Sequence, residues 1–430
     1  MDSSKKKILV ISYDFYPDNS PNTFRWLNVL KEWKKRGVEV QVLSFQKTGF
    51  SKFQEFEGIK IHRTGRGIFE NLKSKIFSVT EQKEPLVQSQ SLQGESFIRK
   101  FYNFTWKKLY FPDFAFLWQS SAFKKASEII SNENISDLIT VSWPFSDHVV
   151  GAKLKDKYAD LNWIADTIDP FYLSKAVNNN SIYNSLNYRY EKKILSSADA
   201  ITVLTDKLKG KYAELYPSIK DRIWVNHNIF VPYERIMDNE VVDKSTIKLV
   251  FVGTLTPITR SPADLLNLFQ NLLNDSKLSN NLELHFYGDW RQCSKIFEKF
   301  NHLLNESLFI HGIIPREEIP KILNKASVLI NIGNNNEFQE PSKILEYVFL
   351  GKPILNVCTI ENDSSKEMLK EYPLNLNINP NEIEDPKKCA EVYDFLVKRK
   401  YVSTSLIDTI LDKYLLKEVQ KRYFEMLKNV

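Results

Sequence analysis

Two stretches of the chain gather cations, hydroxyls and a carboxylate in a way that could hold a phosphate and a sugar hydroxyl. The first, TLTPITRSPAD, follows the apolar run IKLVFVG (Ile247 to Gly253) and reads as a loop entering a helix. Ser261, Pro262 and Asp264 have the Ser-x-x-Asp spacing of a capping box, which sets Arg260 immediately before the helix N-terminus. A guanidinium carries a fixed charge on a bidentate fork, apt for a diphosphate. A solvent-facing loop arginine is the plainer alternative. The second stretch, EPSKILEYVFLGKPILNV (Glu340 to Val357), reads as a helix followed by a strand. Pro341 suits the first helical turn, so the N–H groups of Ser342 and Lys343 fall at the positive helix end, where a hydroxyl and an ammonium add two more donors for an anion. The run ILEYVFL that follows is apolar on nearly every face except at Glu346. A carboxylate there is costly unless it has a partner. The partner is either a pair of ribose hydroxyls or Lys343, in an exposed i,i+3 ion pair worth roughly 0.2–0.5 kcal/mol.

Such groups work only if the fold presents them together. In open parallel sheets ligands gather beyond the carboxyl ends of the strands, where helix N-termini begin. The chain opens with the apolar run KILVIS (Lys7 to Ser12), a polar loop YDFYPDNSPN, and a helix with Ser20 as N-cap and Pro21 in its first position, stopping at Gly37. With the strand VEVQVLS this makes a βαβ unit, and it predicts a doubly wound α/β domain. Further strands are read at DLITVS (Asp137 to Ser142), NWIAD (Asn162 to Asp166), ADAITVLT (Ala198 to Thr205) and RIWVNHNIF. The signal weakens from about Thr48 to Ser96, and within that stretch SVTEQKEPLVQSQSLQGES reads as a mobile loop. After the charged stretch VPYERIMDNEVVDKST a second βα series starts at IKLVFVG and runs through LELHFYG, LFIHG, PREEIPKILNKA and SVLINIG to Glu340–Val357. Two Rossmann-like domains facing a cleft are expected, over residues 1–230 and 231–412, with a C-terminal helix at 413–430 packed on the first.

Composition narrows the class. With 430 residues, 43% of them hydrophobic, the chain can fill two real cores. Cys293, Cys358 and Cys389 are too scattered for a disulfide framework or a Cys-based zinc site. No apolar run approaches a membrane span, and the N-terminus passes from three lysines straight into a strand, so an intracellular protein is expected. A net charge of +6 permits an anionic partner, but no nucleic-acid-binding motif is visible. Basic residues meet aromatics in KEWKKRG (Lys31 to Gly37) and RKFYNFTWKKLYF (Arg99 to Phe111). The second is either a contact for an anionic membrane face or a partly buried amphipathic helix. The loop after the first strand lacks G-x-G-x-x-G and no Walker motif occurs, which disfavours a dinucleotide dehydrogenase and a P-loop NTPase.

The segment PSKILEYVFLGKPIL resembles the donor-site helix of the family 4 retaining glycosyltransferases, which have the GT-B fold. YPDNSPNTFR, FPDFAFLW, SWPFSDHVVG, WIADTIDP and VGTLTPITRSP resemble a bacterial surface-polysaccharide branch of that family, in family order over most of the chain. The resemblance implies a nucleotide-sugar donor, a UDP-sugar by expectation, on the C-terminal domain. Arg260 and Lys343 would meet the diphosphate, Gly253, Glu340 and Ser342 would lie nearby, and Glu346 would hold the ribose. It implies an acceptor site in the N-terminal domain from Asn19, Ser20, Asn22, Arg25 and Asp166, with Asp169 and His148 as catalytic-site candidates beside Arg260 and Lys343. On the residues alone, Asp166 is equally a structural carboxylate, and His148 a solvated or hydrogen-bonded side chain in a first helical turn. The family often carries a second Glu eight residues before the ribose-binding one. Here that position is Phe338, flanked by Glu337 and Glu340.

The expectation is therefore a retaining transferase that needs neither metal nor cofactor and extends a glycan or polyprenyl-linked acceptor in capsule, O-antigen or exopolysaccharide synthesis. It would work in the cytoplasm, in peripheral contact with the membrane, without nucleic acid. The competing readings are a nucleotide-binding subunit without turnover and a GT-B sugar-nucleotide epimerase.

Overall fold

The residues described in the computed structural model are 6–18, 20–65, 110–174, 180–233, 246–274, 281–397 and 402–427. The segment SVTEQKEPLVQSQSLQGES and all of RKFYNFTWKKLYF except Tyr110 and Phe111 lie outside them, as does Asn19.

Strand β1 (Lys7–Ile11) is buried almost throughout, as a central parallel strand must be when helices cover both faces. Helix α1 (Pro21–Lys35) follows. The Ser20 side chain accepts the Thr23 N–H, Pro21 stands at N1, and lysines 34 and 35 close the last turn. Beyond it come β2 (Glu39–Phe45), β3 (Phe53–Phe56), β4 (Ile59–Thr64), α2 (Gln119–Glu133), β5 (Asp137–Ser142), α3 (Ser146–Lys157), β6 (Asn162–Thr167), α4 (Asn180–Leu195), β7 (Ala200–Val203), α5 (Asp206–Leu215) and β8 (Ile223–Val225). They form one eight-stranded sheet in the order β3-β4-β2-β1-β5-β6-β7-β8. All its pairings are parallel except β3 with β4. The β3–β4 hairpin lies where the sequence pattern gives little signal. Its turn is Glu57-Gly58, both at positive φ, a backbone that glycine adopts at no steric cost.

A second sheet contains β9 (Ile247–Val252), β10 (Leu282–Tyr287), β11 (Leu308–Gly312), β12 (Val328–Ile332), β13 (Ile354–Val357) and β14 (Asn375–Ile378), all parallel, in the order β11-β10-β9-β12-β13-β14. Its helices are α6 (Ala263–Leu273), α7 (Ser294–Phe297), α8 (Ile319–Lys325), α9 (Lys343–Phe349), α10 (Ser364–Leu369), α11 (Pro386–Val397) and α12 (Thr404–Leu411). One face of the sheet packs Leu265, Leu266, Leu268, Phe269 and Leu272 of α6, each burial worth about 1.5–3 kcal/mol. The other face packs Ile344, Leu345 and Val348 of α9. Across β12, β13 and β14 the paired residues Asn331, Asn356 and Asn377 form a side-chain ladder, with Nδ2–Oδ1 distances of 2.7 Å at both steps. A slip of one residue would break every rung, so the ladder fixes the register.

By contacts the chain divides into two units, Met1–His227 with Val419–Val430, and Asn228–Glu418. The last helix, α13 (Leu416–Met426), ends in the first unit. There Tyr423 lies against Trp26 and Trp33, and Phe424 against Trp33.

The same contact settles Arg25 and Asp166. Arg25 falls on the stripe of α1 that buries Val29 and Trp33, and it is only 3% exposed. Its Nη2 donates to the Asn226 carbonyl (3.0 Å) and to Tyr423 Oη (2.9 Å), its Nη1 to the His227 carbonyl, and its Nε lies 3.8 Å from Asp166 Oδ2. Asp166 also accepts from Trp26 Nε1 (2.8 Å) and Thr202 Oγ1 (2.5 Å). Both charges are spent on each other and on the core, which removes them from the acceptor-binding set. Replacing Arg25 by Met should strand the Asp166 carboxylate at a cost of about 3–5 kcal/mol. Urea unfolding followed by tryptophan fluorescence reads this, and R25M/D166N should recover part of the loss.

Candidate anion-binding site

The order of the second sheet reverses between β9 and β12. That is the switch point where the loops leaving two neighbouring strands diverge and a ligand can reach the strand ends. The loop after β9 carries Gly253 and Arg260, the loop after β12 carries Gly333 and Asn334, and α9 supplies Lys343, Glu346 and Tyr347.

Arg260 is held by a closed turn in which Thr256 N–H donates to the Arg260 carbonyl (3.1 Å) and Arg260 N–H to the Thr256 carbonyl (3.3 Å). Its guanidinium reaches across the switch point to Asn334 Oδ1, at 3.1 Å from Nε and 2.7 Å from Nη2. The expected capping box is absent. Helix α6 starts at Ala263 with Pro262 as N-cap, and the Ser261 hydroxyl accepts the Ala263 N–H at 3.3 Å, because the turn at 256–260 delays the helix. Lys343 begins α9, with an exposed Ser342 as N-cap making no side-chain cap bond, so Pro341 precedes the cap instead of lying within the first turn. Lys343 Nζ does not pair with Glu346. It turns back to donate to the Val252 carbonyl at 2.5 Å, and a Cβ on Gly253 would stand 2.8 Å from it. A larger residue there would crowd the Lys343 ammonium in this position. Among the described residues neither Arg260 nor Lys343 has a carboxylate within ion-pair distance, and each spends its hydrogen bonds on neutral oxygens.

The electrostatics follow from burial. Lys343 is pushed down from an ordinary value near 10.5 to about 8, first by burial and then by the Arg260 charge, with Glu346 working the other way. Arg260 is lowered by burial, with Tyr347 and Asp363 opposing. The Glu346 carboxyl is raised by burial, against the pull of Arg316 and Lys343. Its side chain has no hydrogen-bond partner among the described residues, which leaves the carboxylate available to a ligand hydroxyl. Phe338 is buried, whereas Glu337 and Glu340 on either side are half-buried.

Sequence reading did not find Asn334, Arg316 or Asp363. Asp363 arrives after β13 and caps α10 through the Ser365 N–H (2.8 Å), and Gly333 makes room for it, since a Cβ there would fall 1.5 Å from its Oδ2. The glycine directly after SVLINI was the available signal.

In the first unit the candidates separate. Asn22 Nδ2 donates to the Ser142 carbonyl (3.2 Å) and Ser142 Oγ to the Asp169 carbonyl (3.0 Å), so Asn22 and Asp169, both half-buried, are gathered around the end of β5. Ser20 is occupied as the α1 cap. His148 is fully buried, its Nδ1 2.7 Å from Thr140 Oγ1 and its Nε2 3.3 Å from Thr167 Oγ1. Burial drives it down to about 3, so it stays neutral. It lies inside the core because α3 packs this face on β5 and β6, and it is withdrawn as a catalytic residue.

No protein-family model matches the chain, and no curated protein matches it. Solved structures do. Sucrose-phosphate synthase from Thermosynechococcus elongatus is 12% identical with a TM-score of 0.66, covering 98% of each chain. Anabaena HepE, solved with UDP and glucose, is 12% identical with a TM-score of 0.61, over 99% of this chain and 100% of that one. WaaG, a glycosyltransferase involved in lipopolysaccharide biosynthesis, is 11% identical with a TM-score of 0.56, over 98% and 100%. At such identities the likeness establishes the fold alone: the chain has the GT-B fold, with two parallel-sheet α/β domains.

The depressed Lys343 has a consequence for stability. Between about pH 8 and 10.5 the unfolded chain holds a proton on this lysine that the folded chain does not, so its contribution to stability rises with pH across that window. Below it the full cost, at most about 3 kcal/mol, is present. K343M should therefore be more stable than wild type at pH 7, with the advantage shrinking toward pH 10. Urea denaturation at both ends of the window checks this, and a K343M variant less stable at pH 7 contradicts it.

Proposed function

We propose that the chain is a glycosyltransferase that takes a sugar from a nucleotide-diphosphate donor, with UDP as the nucleotide, and passes it to a glycan or lipid-linked acceptor. The observation that carries the reading is the pair Arg260 and Lys343, two cations with only neutral oxygens as partners at the switch point of the second sheet. A diphosphate supplies the missing negative charge. Glu346, without a hydrogen-bond partner among the described residues, suits the ribose hydroxyls. HepE, solved with UDP and glucose on the same fold, supports uridine as the base.

The chemistry follows from where charge develops. As the bond from the anomeric carbon to the diphosphate lengthens, the sugar becomes cationic and the leaving oxygen anionic. Fixed cations aimed at that oxygen lower the barrier more than they bind the ground state. The acceptor hydroxyl attacks the anomeric carbon from the face the diphosphate leaves, which retains the configuration, and the departing phosphate takes the hydroxyl proton in place of a dedicated base. Asn22 and Asp169 in the first unit are the residues we assign to the acceptor. The motif resemblance, together with the likeness to WaaG, supports a place in bacterial surface-polysaccharide synthesis, with a polyprenyl-linked acceptor at the inner membrane face. Among the described residues no helix is long and apolar enough to cross a membrane, so contact with lipid would be peripheral.

The test is UDP release from a panel of UDP-sugars with and without glycolipid acceptors. R260A and K343A should each lower turnover about 10²–10³-fold with folding intact. E346Q should mainly raise the donor KM. Wild-type rates in both cation variants would sink the diphosphate assignment. Saturable UDP binding without turnover on any donor would favour a nucleotide-binding subunit, the reading that the buried Phe338 keeps in play.

A further inference from the structure

The solvent-side strands of the second sheet carry two of the six histidines in the chain. On β10, His285 lies between Glu283 and Tyr287 on the face opposite the buried Leu282, Leu284 and Phe286. On β11 the pairing shifts, with Phe286 opposite Ile310 but Tyr287 opposite Gly312, so His311 is an extra residue in a bulge. Bulges re-aim side chains. This one turns His311 back over β10, where its ring stacks on Tyr287 at 4.1 Å and 7° and lies within 9° of coplanar with His285. His285 Nδ1 and His311 Nε2 are 3.0 Å apart. On its other side His285 Nε2 is 3.0 Å from Glu283 Oε2, and its ring stacks on Phe309 at 4.8 Å. Lys248 Nζ lies 3.7 Å from the same carboxylate oxygen.

We infer that Glu283, His285 and His311 form a binding site for a borderline transition-metal dication such as Zn2+, separate from the anion site. A metal-ligating histidine usually gives its other ring N–H to a carboxylate, which fixes the tautomer and raises the basicity of the ligating nitrogen. Glu283 stands in that position, leaving Nδ1 of His285 as the lone-pair donor directed at His311. Zinc–nitrogen bonds of about 2.0–2.1 Å at a tetrahedral angle put two ligating nitrogens roughly 3.3 Å apart, so a small tilt of the exposed His311 ring admits the ion. Among the described residues no three such groups converge as a complete site. The two nitrogens would therefore be joined by water. Binding would clamp edge strand β11 to β10, just before the loop that carries Arg316.

Equilibrium dialysis of tag-free, full-length protein against ZnCl2, read by atomic absorption, tests this. The expected result is one saturable Zn2+ per chain, bound at least tenfold more weakly in H311Q and about tenfold or more weakly in E283Q, with no uptake of Mg2+ at this position. His311 is exposed, so H311Q should fold; unchanged circular dichroism confirms it. Absence of saturable uptake up to about 100 μM, or uptake that H311Q leaves untouched, overturns the site.

Discussion

Positive charge without a counter-ion is the constraint around which the second unit is built. Arg260 and Lys343 stand in each other's field, partly withdrawn from water, and are steadied only by an asparagine oxygen and a backbone carbonyl. Withdrawing cations from water costs several kcal/mol each unless something repays it. Every nearby feature serves to hold them there. The Thr256–Arg260 turn fixes one, Gly253 leaves passage for the other, and the asparagine ladder pins the strands from which the β12 and β13 loops depart. A fold that maintained this arrangement for stability alone would do better with two apolar side chains.

The first unit solves the same problem in the opposite way, and the contrast separates structure from function. Two of its buried charged clusters find their partners within the chain. Arg25 meets Asp166 and three further oxygens, and Glu191 accepts two backbone N–H groups and the hydroxyls of Tyr212 and Tyr216. A charge whose partners lie within the chain holds the chain together. Arg260 and Lys343 differ in that two like charges share one place, with no carboxylate within ion-pair distance among the described residues. Arg25 and Asp166, with the buried neutral His148, are therefore read as scaffold, and Arg260, Lys343 and Glu346 as the proposed site.

Local rules carried the sequence reading where local physics decides. Ser20, Pro21 and Gly37 bound α1 as their chemistry requires, and the apolar runs at Lys7, Asp137, Ile247 and Val328 are the buried parallel strands. The reading failed where distant parts of the chain decide. Nothing around Arg25 reveals that Tyr423, some 400 residues on, receives it. The capping box at Ser261 was outweighed by a turn at 256–260 whose Thr259 carbonyl also accepts the distant Asn335 N–H at 2.9 Å. Glu346 was legible because a lone carboxylate on an apolar helix contradicts its surroundings; its lack of a nearby salt bridge was not, since Lys343, three residues before it, could point either along the helix or, as it does, back to β9.

The most direct measurement is calorimetry of UDP binding at pH 8.5 in two buffers of different ionisation enthalpy. If Lys343 is a cation depressed by burial and completed by a diphosphate, binding draws a proton onto it. Wild type should then show net proton uptake that K343M lacks, and its affinity should fall as the pH rises through about 8. Binding with no proton exchange and with constant affinity from pH 7 to 9.5 would contradict the account.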